Sequence, residues 1–163
     1  MKKITPCLWF NGKAEEAVKF YRSVFKKSKI LSVSRYGKEG HEIHGMPEGA
    51  VLTMEFELNG SRFTALNAGP EFQFNEAISF QVHCEDPKEL DYYWEKLTQG
   101  ADPKAQQCGW LKDKFGVSWQ VVPGPMKKWV GSKDKRRTER VMKALFPMKK
   151  LDWKALERAY QGK

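Results

Sequence analysis

The stretch "ITPCLWFNGKAEEAVKFYRSVF", residues 4–25, decides the fold. Its start, residues 4–10, is crowded with large apolar side chains and reads as a strand. Beyond Asn11 the apolar residues recur at helical spacing: Ala14, Ala17, Val18, Tyr21, Val24 and Phe25 share one face. Asn11 is the expected N-cap, and Glu15 and Glu16 suit the positive start of the helix dipole. Next, "ILSVSRY" (30–36) alternates as a half-buried strand, and residues 37–49, rich in Gly and His with one Pro, read as a loop. "AVLTMEFELNGSRFTALN" then gives two strands around Asn59-Gly60. That dipeptide suits a type I′ hairpin, because both central residues tolerate positive φ. The order is β-α-β-β-β.

The plan recurs further on. "AISFQVHCE" (77–85) reads as a strand, and "DPKELDYYWEKLTQG" (86–100) as a helix with Pro87 in its first turn and Gly100 at its end. "CGWLKD" and "VSWQVVP" read as strands around Phe115-Gly116, and a shorter strand is expected within 101–107. A shift of 73 lays Ala17 on Leu90, Phe20 on Tyr93, Tyr21 on Trp94 and Val24 on Leu97. A shift of 56 lays Gly60 on Gly116, Phe63 on Trp119 and Thr64 on Gln120. The expected fold class is therefore α+β: tandem βαβββ modules forming a curved mixed sheet around a cavity, with a C-terminal helical extension. The expected boundaries are a two-module domain over 1–124 (modules about 1–70 and 75–124) and a basic helical tail over 125–163.

Charge separates the tail from the body. Residues 1–124 hold 16 Lys/Arg against 16 Asp/Glu, whereas residues 125–163 hold 13 against 4, so the whole excess of +9 sits in the tail. A uniformly basic nucleic-acid binder is a poor description of such a chain. No apolar run approaches the roughly 20 residues of a membrane span. The opening "MKKITPCLWFNG" breaks at Pro6 and Asn11, too early for the core of a signal peptide, so a cytoplasmic protein is expected. Three cysteines, Cys7, Cys84 and Cys108, show no CxxC spacing, which fits reduced thiols.

The segments "ITPCLWFNGKAEEAVKFYRSVF", "RYG", "FTALNAGP", "FNEAISFQVHCE", "YYWEKL" and "CGWLKDKFGVSWQVVP" resemble the PhnB-like family. Members often carry the name 3-demethylubiquinone-9 3-methyltransferase, and they belong to the vicinal oxygen chelate (glyoxalase/bleomycin-resistance/dioxygenase) superfamily. The tail "RVMKALFPMKKLDWKALERAY" also looks like that family's C-terminal extension. The resemblance implies a hollow between modules and, in the metal-using relatives, ligands on the first and last strand of each module. Carried over, those positions are Pro6, Thr64, Ser79 and Gln120, or Cys7 and Phe80 if the strand register slips by one. Proline has no side-chain ligand, hydroxyls bind Zn²⁺ or Ni²⁺ poorly, and one neutral amide does not retain a divalent ion. No metal is expected. His41 and His44 sit among glycines and a proline in a solvated loop, out of step with HExxH.

The pocket candidates are polar residues set in an aromatic wall: Thr64, Ser79, Gln81 and Gln120, with Trp9, Phe63, Trp110 and Trp119. Alternation puts Ser79, Gln81 and His83 on one strand face, and Ser118 with Gln120 on another. The expected ligand is a small aromatic or polar metabolite. Two other readings stand beside it. One is O-methylation of a 3-demethylubiquinone-type substrate, as the family name implies, which alone would call for S-adenosylmethionine. The other is a non-catalytic interaction module using the tail. The chain lacks the GxGxG turn of a Rossmann-type methyl-donor site, and it has no GxSxG or Ser/His/Asp set. No cofactor is expected and the catalytic residues are unknown; Glu55 is an acid or base only if its strand face is the concave one. Lys133, Lys135, Arg136, Arg137 and Arg140 form a basic cluster without a nucleic-acid motif. The tail divides at Pro147 into two helices whose apolar stripes dock on the body or on a second subunit. A homodimer is expected from the superfamily; a membrane or nucleic-acid partner is not.

Overall fold

The computed structural model describes residues 4–163, and the chain divides into two units, Met1–Phe74 and Asn75–Lys163. Lys2 and Lys3, the two lysines of the opening segment, lie outside the described residues.

The first unit runs β1 (Cys7–Asn11), α1 (Ala14–Val24), β2 (Ser28–Arg35), α2 (His41–His44), β3 (Val51–Leu58) and β4 (Ser61–Ala68). Its sheet has the order β1-β4-β3-β2, with β1 parallel to β4 and the other pairs antiparallel. The amphipathic face read from the sequence is the buried face of α1: Ala14, Ala17, Val18, Phe20, Tyr21 and Val24. It covers Leu8, Phe10, Phe56 and Ala65, where Phe56 stacks between Tyr21 and Phe63. Asn59 and Gly60 both take positive φ, 46° and 82°, as the type I′ hairpin requires.

Three expectations change here. Asn11 does not cap α1. Lys13 holds the N-cap position without a side-chain bond, and Asn67 on β4 reaches across the fold so that its Oδ1 accepts from Ala14 N at 3.2 Å. Asn67 also donates to the Val51 carbonyl, while Tyr36 Oη donates to the Asn67 carbonyl, so this buried amide ties the helix start to the strand ends. β2 is not half-buried. It is the outer strand, exposed from Lys29 to Arg35, and its pairing slips between Ile30 and Ser32. The 37–49 loop contains one helical turn, His41–His44, held between left-handed Gly40 and Gly45.

The second unit runs β5 (Phe80–Cys84), α3 (Pro87–Leu97), β6 (Trp110–Lys112), β7 (Ser118–Pro123), α4 (Met126–Val130), α5 (Lys135–Leu145) and α6 (Trp153–Gln161). Its sheet has the order β5-β7-β6. The architecture is thus α+β with two mixed sheets and C-terminal helices. The second module has three strands, not four: over 101–107, Asp102 caps a short 3-10 turn, Pro103–Ala105, and only an isolated bridge joins Gln107 to Trp110. A proline and a side-chain cap favour a turn over a ladder here. α3 opens as the sequence suggests. Asp86 Oδ1 accepts from Glu89 N at 2.8 Å, Glu89 Oε2 accepts from Glu85 N, and Pro87 sits in the first turn.

The tail folds onto the second unit. Cys108 N and Gly109 N donate to the Met148 and Lys149 carbonyls at 2.8 and 2.7 Å. Leu151 and Leu156 are buried at 1% and 0% exposure, and burying each such side chain is worth about 1.5–3 kcal/mol. Among the described residues, no helix is long and apolar enough to cross a membrane.

Candidate functional site

Each sheet has one face under its helix and one face without it. On β7, Trp119 and Val121 point to the α3 side with Val82 and Cys84, all buried. Ser118 and Gln120 point the other way. Cross-strand register places their neighbours: Gln120 pairs with Gln81 on β5 and Trp110 on β6, and Ser118 pairs with Lys112. The face opposite α3 therefore carries Gln81, His83, Trp110, Lys112, Ser118 and Gln120.

A chain of side-chain hydrogen bonds runs along it. Gln81 Nε2 donates to Gln120 Oε1 at 3.2 Å, and Gln120 Nε2 donates to Ser79 Oγ at 2.8 Å. Gln81 and His83 are exposed, and Gln120, Ser79 and Trp110 are half-buried. The chain orients both amides and ends on the exposed Gln81 side chain. Lys112 on the same face forms an ion pair with Glu76. That contact, first through the hydrogen bond from Lys112, holds the Glu76 carboxyl below the usual carboxylate range.

The expected site residues thus separate. Ser79, Gln81, Trp110 and Gln120 come together. In the first unit, Thr64 pairs with Cys7 and Trp9 with Leu66, on the face away from α1. There the Trp9 indole donates to the Gly69 carbonyl at 2.9 Å and meets Phe72 edge-on. Glu55 pairs with Thr64 on that face and is exposed. Phe63 and Trp119 do not belong to the set. Phe63 is 7% exposed and stacked on Phe56, and Trp119 is 3% exposed with its indole N–H on Asp113 Oδ2 at 2.8 Å. Each is next in sequence to a residue of the open face, so alternation turns it into the core. Lys112, Glu76 and the buried Ser118 hydroxyl lie outside the expected pocket set: the register of a three-residue strand sets Lys112 beside Ser118, and the loop before β5 brings Glu76 to Lys112.

The register also corrects the repeat. Thr64 answers to Cys7 and Gln120 answers to Gln81, so the first strands overlay with a shift of 74, not the 73 that relates the helices. Pro6, one of the carried-over ligand positions, precedes β1 and gives its carbonyl to Thr64 N. As a metal site the second sheet's open face fits badly. It offers two amides, two hydroxyls and His83, and divalent transition ions prefer several imidazoles, thiolates or carboxylates. Among the described residues, no group of three or more His, Cys, Asp and Glu side chains is placed to hold an ion.

A groove of about 740 Å³ lies elsewhere in this unit, between the starts of α3 and α6. Its carboxylates are already employed: Asp86 and Asp152 cap the two helices, and Asp91 pairs with Lys150. It is a packing seam of the docked tail.

Residues 2–122 match the model of the family described as 3-demethylubiquinone-9 3-methyltransferase. The chain belongs to that family. A solved structure from Bacillus cereus, described as a putative 3-demethylubiquinone-9 3-methyltransferase, PhnB protein, is 40% identical. It covers 75% of this chain and 99% of its own, with a TM-score of 0.63. A Pseudomonas aeruginosa protein at 18% identity (76% and 98% coverage, TM-score 0.57) shares the fold. So does the fosfomycin resistance protein FosX from Listeria monocytogenes, solved with Mn(II) and sulfate, at 13% identity (80% and 97% coverage, TM-score 0.51). The likenesses to the Pseudomonas protein and to FosX are likenesses of fold. No curated protein matches it. The family match stops at residue 122 and does not take in the tail.

Proposed function

We propose that this PhnB-like chain binds a small aromatic or polar metabolite on the open face of its second sheet, and does so without a metal ion. The observation that carries the reading is the Ser79–Gln120–Gln81 hydrogen-bond chain on a face that α3 does not cover, with Trp110 beside it. Polar side chains fixed in orientation next to an aromatic surface are what a small-ligand site needs. The reading rests on the second sheet alone.

Methyl transfer, which the family's description names, draws no support from these residues if its donor is S-adenosylmethionine. The turns from strand to helix are Gly12-Lys13, residues 36–40, Glu85-Asp86 and Gly124-Pro125, and none carries the GxGxG run that cradles such a cofactor.

The test is native mass spectrometry of the purified chain, with extraction of any carried-over metabolite. A retained small organic molecule, lost from the Gln120→Leu variant, is the expected result. Retention unchanged by that substitution would refute the site. Elemental analysis and titration calorimetry with S-adenosylmethionine run beside it. One stoichiometric transition metal contradicts the metal-free reading, and heat from the methyl donor would favour methyl transfer instead.

A further inference from the structure

Ser118 is 3% exposed, and its hydroxyl oxygen is buried with no hydrogen-bond partner. Native proteins satisfy the large majority of buried polar atoms, so an orphan hydroxyl is a donor with its bond still to make. Its surroundings narrow the choice. Ser118 lies across the ladder from Lys112, two residues from Gln120, and on the face that holds Trp110. Lys112 is the cationic side chain of that face, and the exposed Glu76 carboxylate is on it. Exposed ion pairs of this kind are weak and easily exchanged. A carboxylate thus already stands on Lys112, and it belongs to a loop residue.

We propose that the ligand of this face is a small aromatic monocarboxylate. Its carboxylate displaces Glu76 from Lys112 and accepts the Ser118 hydroxyl, and its ring lies against Trp110 beside the Gln120 amide. Glu76 is then an internal competitor that keeps Lys112 neutralised until ligand arrives. This rests on the binding face proposed above and adds the chemical class of its occupant.

The experiment titrates the full chain with benzoate and with benzamide, its neutral isostere. Binding is read from the side-chain amide NMR signals of Gln81 and Gln120. Benzoate is expected to bind at least about tenfold more tightly, a charge-assisted hydrogen bond being roughly twice as strong as a neutral one. Glu76→Gln is expected to tighten benzoate severalfold, and Lys112→Gln to erase the preference over benzamide. Ser118→Ala weakens benzoate without lowering the melting temperature, because it removes an unsatisfied hydroxyl. Equal affinity for the two probes, or an unchanged benzoate affinity in Glu76→Gln, overturns the carboxylate assignment and leaves the binding face standing. Binding of neither probe, while a carried-over metabolite is still lost on Gln120→Leu, overturns it equally. If neither probe binds and no Gln120-dependent metabolite is found, the binding face falls as well.

Discussion

The buried carboxylate of Asp113 accepts the indole N–H of Trp119 at 2.8 Å, six residues along the chain. Its other oxygen accepts from Phe115 N and Val117 N at 2.8 and 3.0 Å. One side chain therefore shapes the turn between β6 and β7 and fixes the aromatic that sends Gln120 to the opposite face. Asp113→Ala leaves three donors without their acceptor in a buried place. Each such loss costs about 1–3 kcal/mol, so a destabilisation of at least about 3 kcal/mol is expected. Urea unfolding followed by tryptophan fluorescence measures it. A loss under about 1 kcal/mol would show that water replaces the carboxylate and that the turn does not depend on it.

Gly109 has φ +84°, and a Cβ there would meet Leu151 Cδ1 at 2.9 Å and the Val121 carbonyl at 3.1 Å. The docked tail thus needs glycine for space as well as for backbone conformation. Gly45 has φ +64° and open space around it. Gly45→Ala is expected to cost only the conformational part, about 1–2 kcal/mol. Gly109→Ala should cost more, and it should raise hydrogen exchange at the amides of Cys108 and Gly109, which bond to the tail. Equal costs for the two substitutions would show that the tail yields without penalty.

Much of this fold is legible in sequence because its signals are local. The helix faces of α1 and α3 come from spacing alone, and Asn59-Gly60 announces its turn. Long-range partners are not legible. Asn67 caps a helix 53 residues away, and nothing near Asn11 reveals that its own cap is unused. The polar row was half legible. Alternation gives Ser118 with Gln120 and Ser79 with Gln81, but only the ladder shows that Gln81 faces Gln120. Period two also excludes Trp119 once Gln120 is chosen, and Phe63 once Thr64 is; aromatic character drew both into the pocket against that rule. Lys112 and Glu76 meet through a loop whose course no periodicity encodes.

Two members of the basic cluster hold the tail together. Arg140 Nε donates to the Ala159 carbonyl at 2.8 Å and its Nη2 to the Tyr160 carbonyl at 3.3 Å, closing the end of α6. Arg137 lies over the Tyr160 ring, 5.2 Å from its centre, and pairs with Asp134. Contact with Arg137 also lowers the Tyr160 phenol from its ordinary pKa. Arg140→Lys keeps the charge but loses the fork, so it is expected to fray α6, read as faster amide exchange over 158–163. Lys133→Gln and Lys135→Gln should leave that exchange unchanged. Similar effects from all three would mean that net charge, not the fork, steadies the helix.

Cys84 has no exposed surface, and burial pushes its thiol up to about 12, with Glu89 and Asp86 adding to the shift. An unfolded thiol titrates near 8.5. The folded chain holds this proton more tightly, so the contribution to stability is complete below pH ~8.5 and is lost as pH rises toward the folded value. The expected slope is about 1.4 kcal/mol per pH unit within that window. Other groups titrate there too, so the measurement is a difference: urea stability of the native sequence against Cys84→Ala across the mildly alkaline range. The native sequence should lose stability faster with pH than the variant. Iodoacetamide at neutral pH should label the exposed Cys7 and the half-buried Cys108 of the folded chain while sparing Cys84. Parallel stability curves, with Cys84 alkylated as fast as Cys108, would place that thiol in contact with water and contradict its position beneath α3.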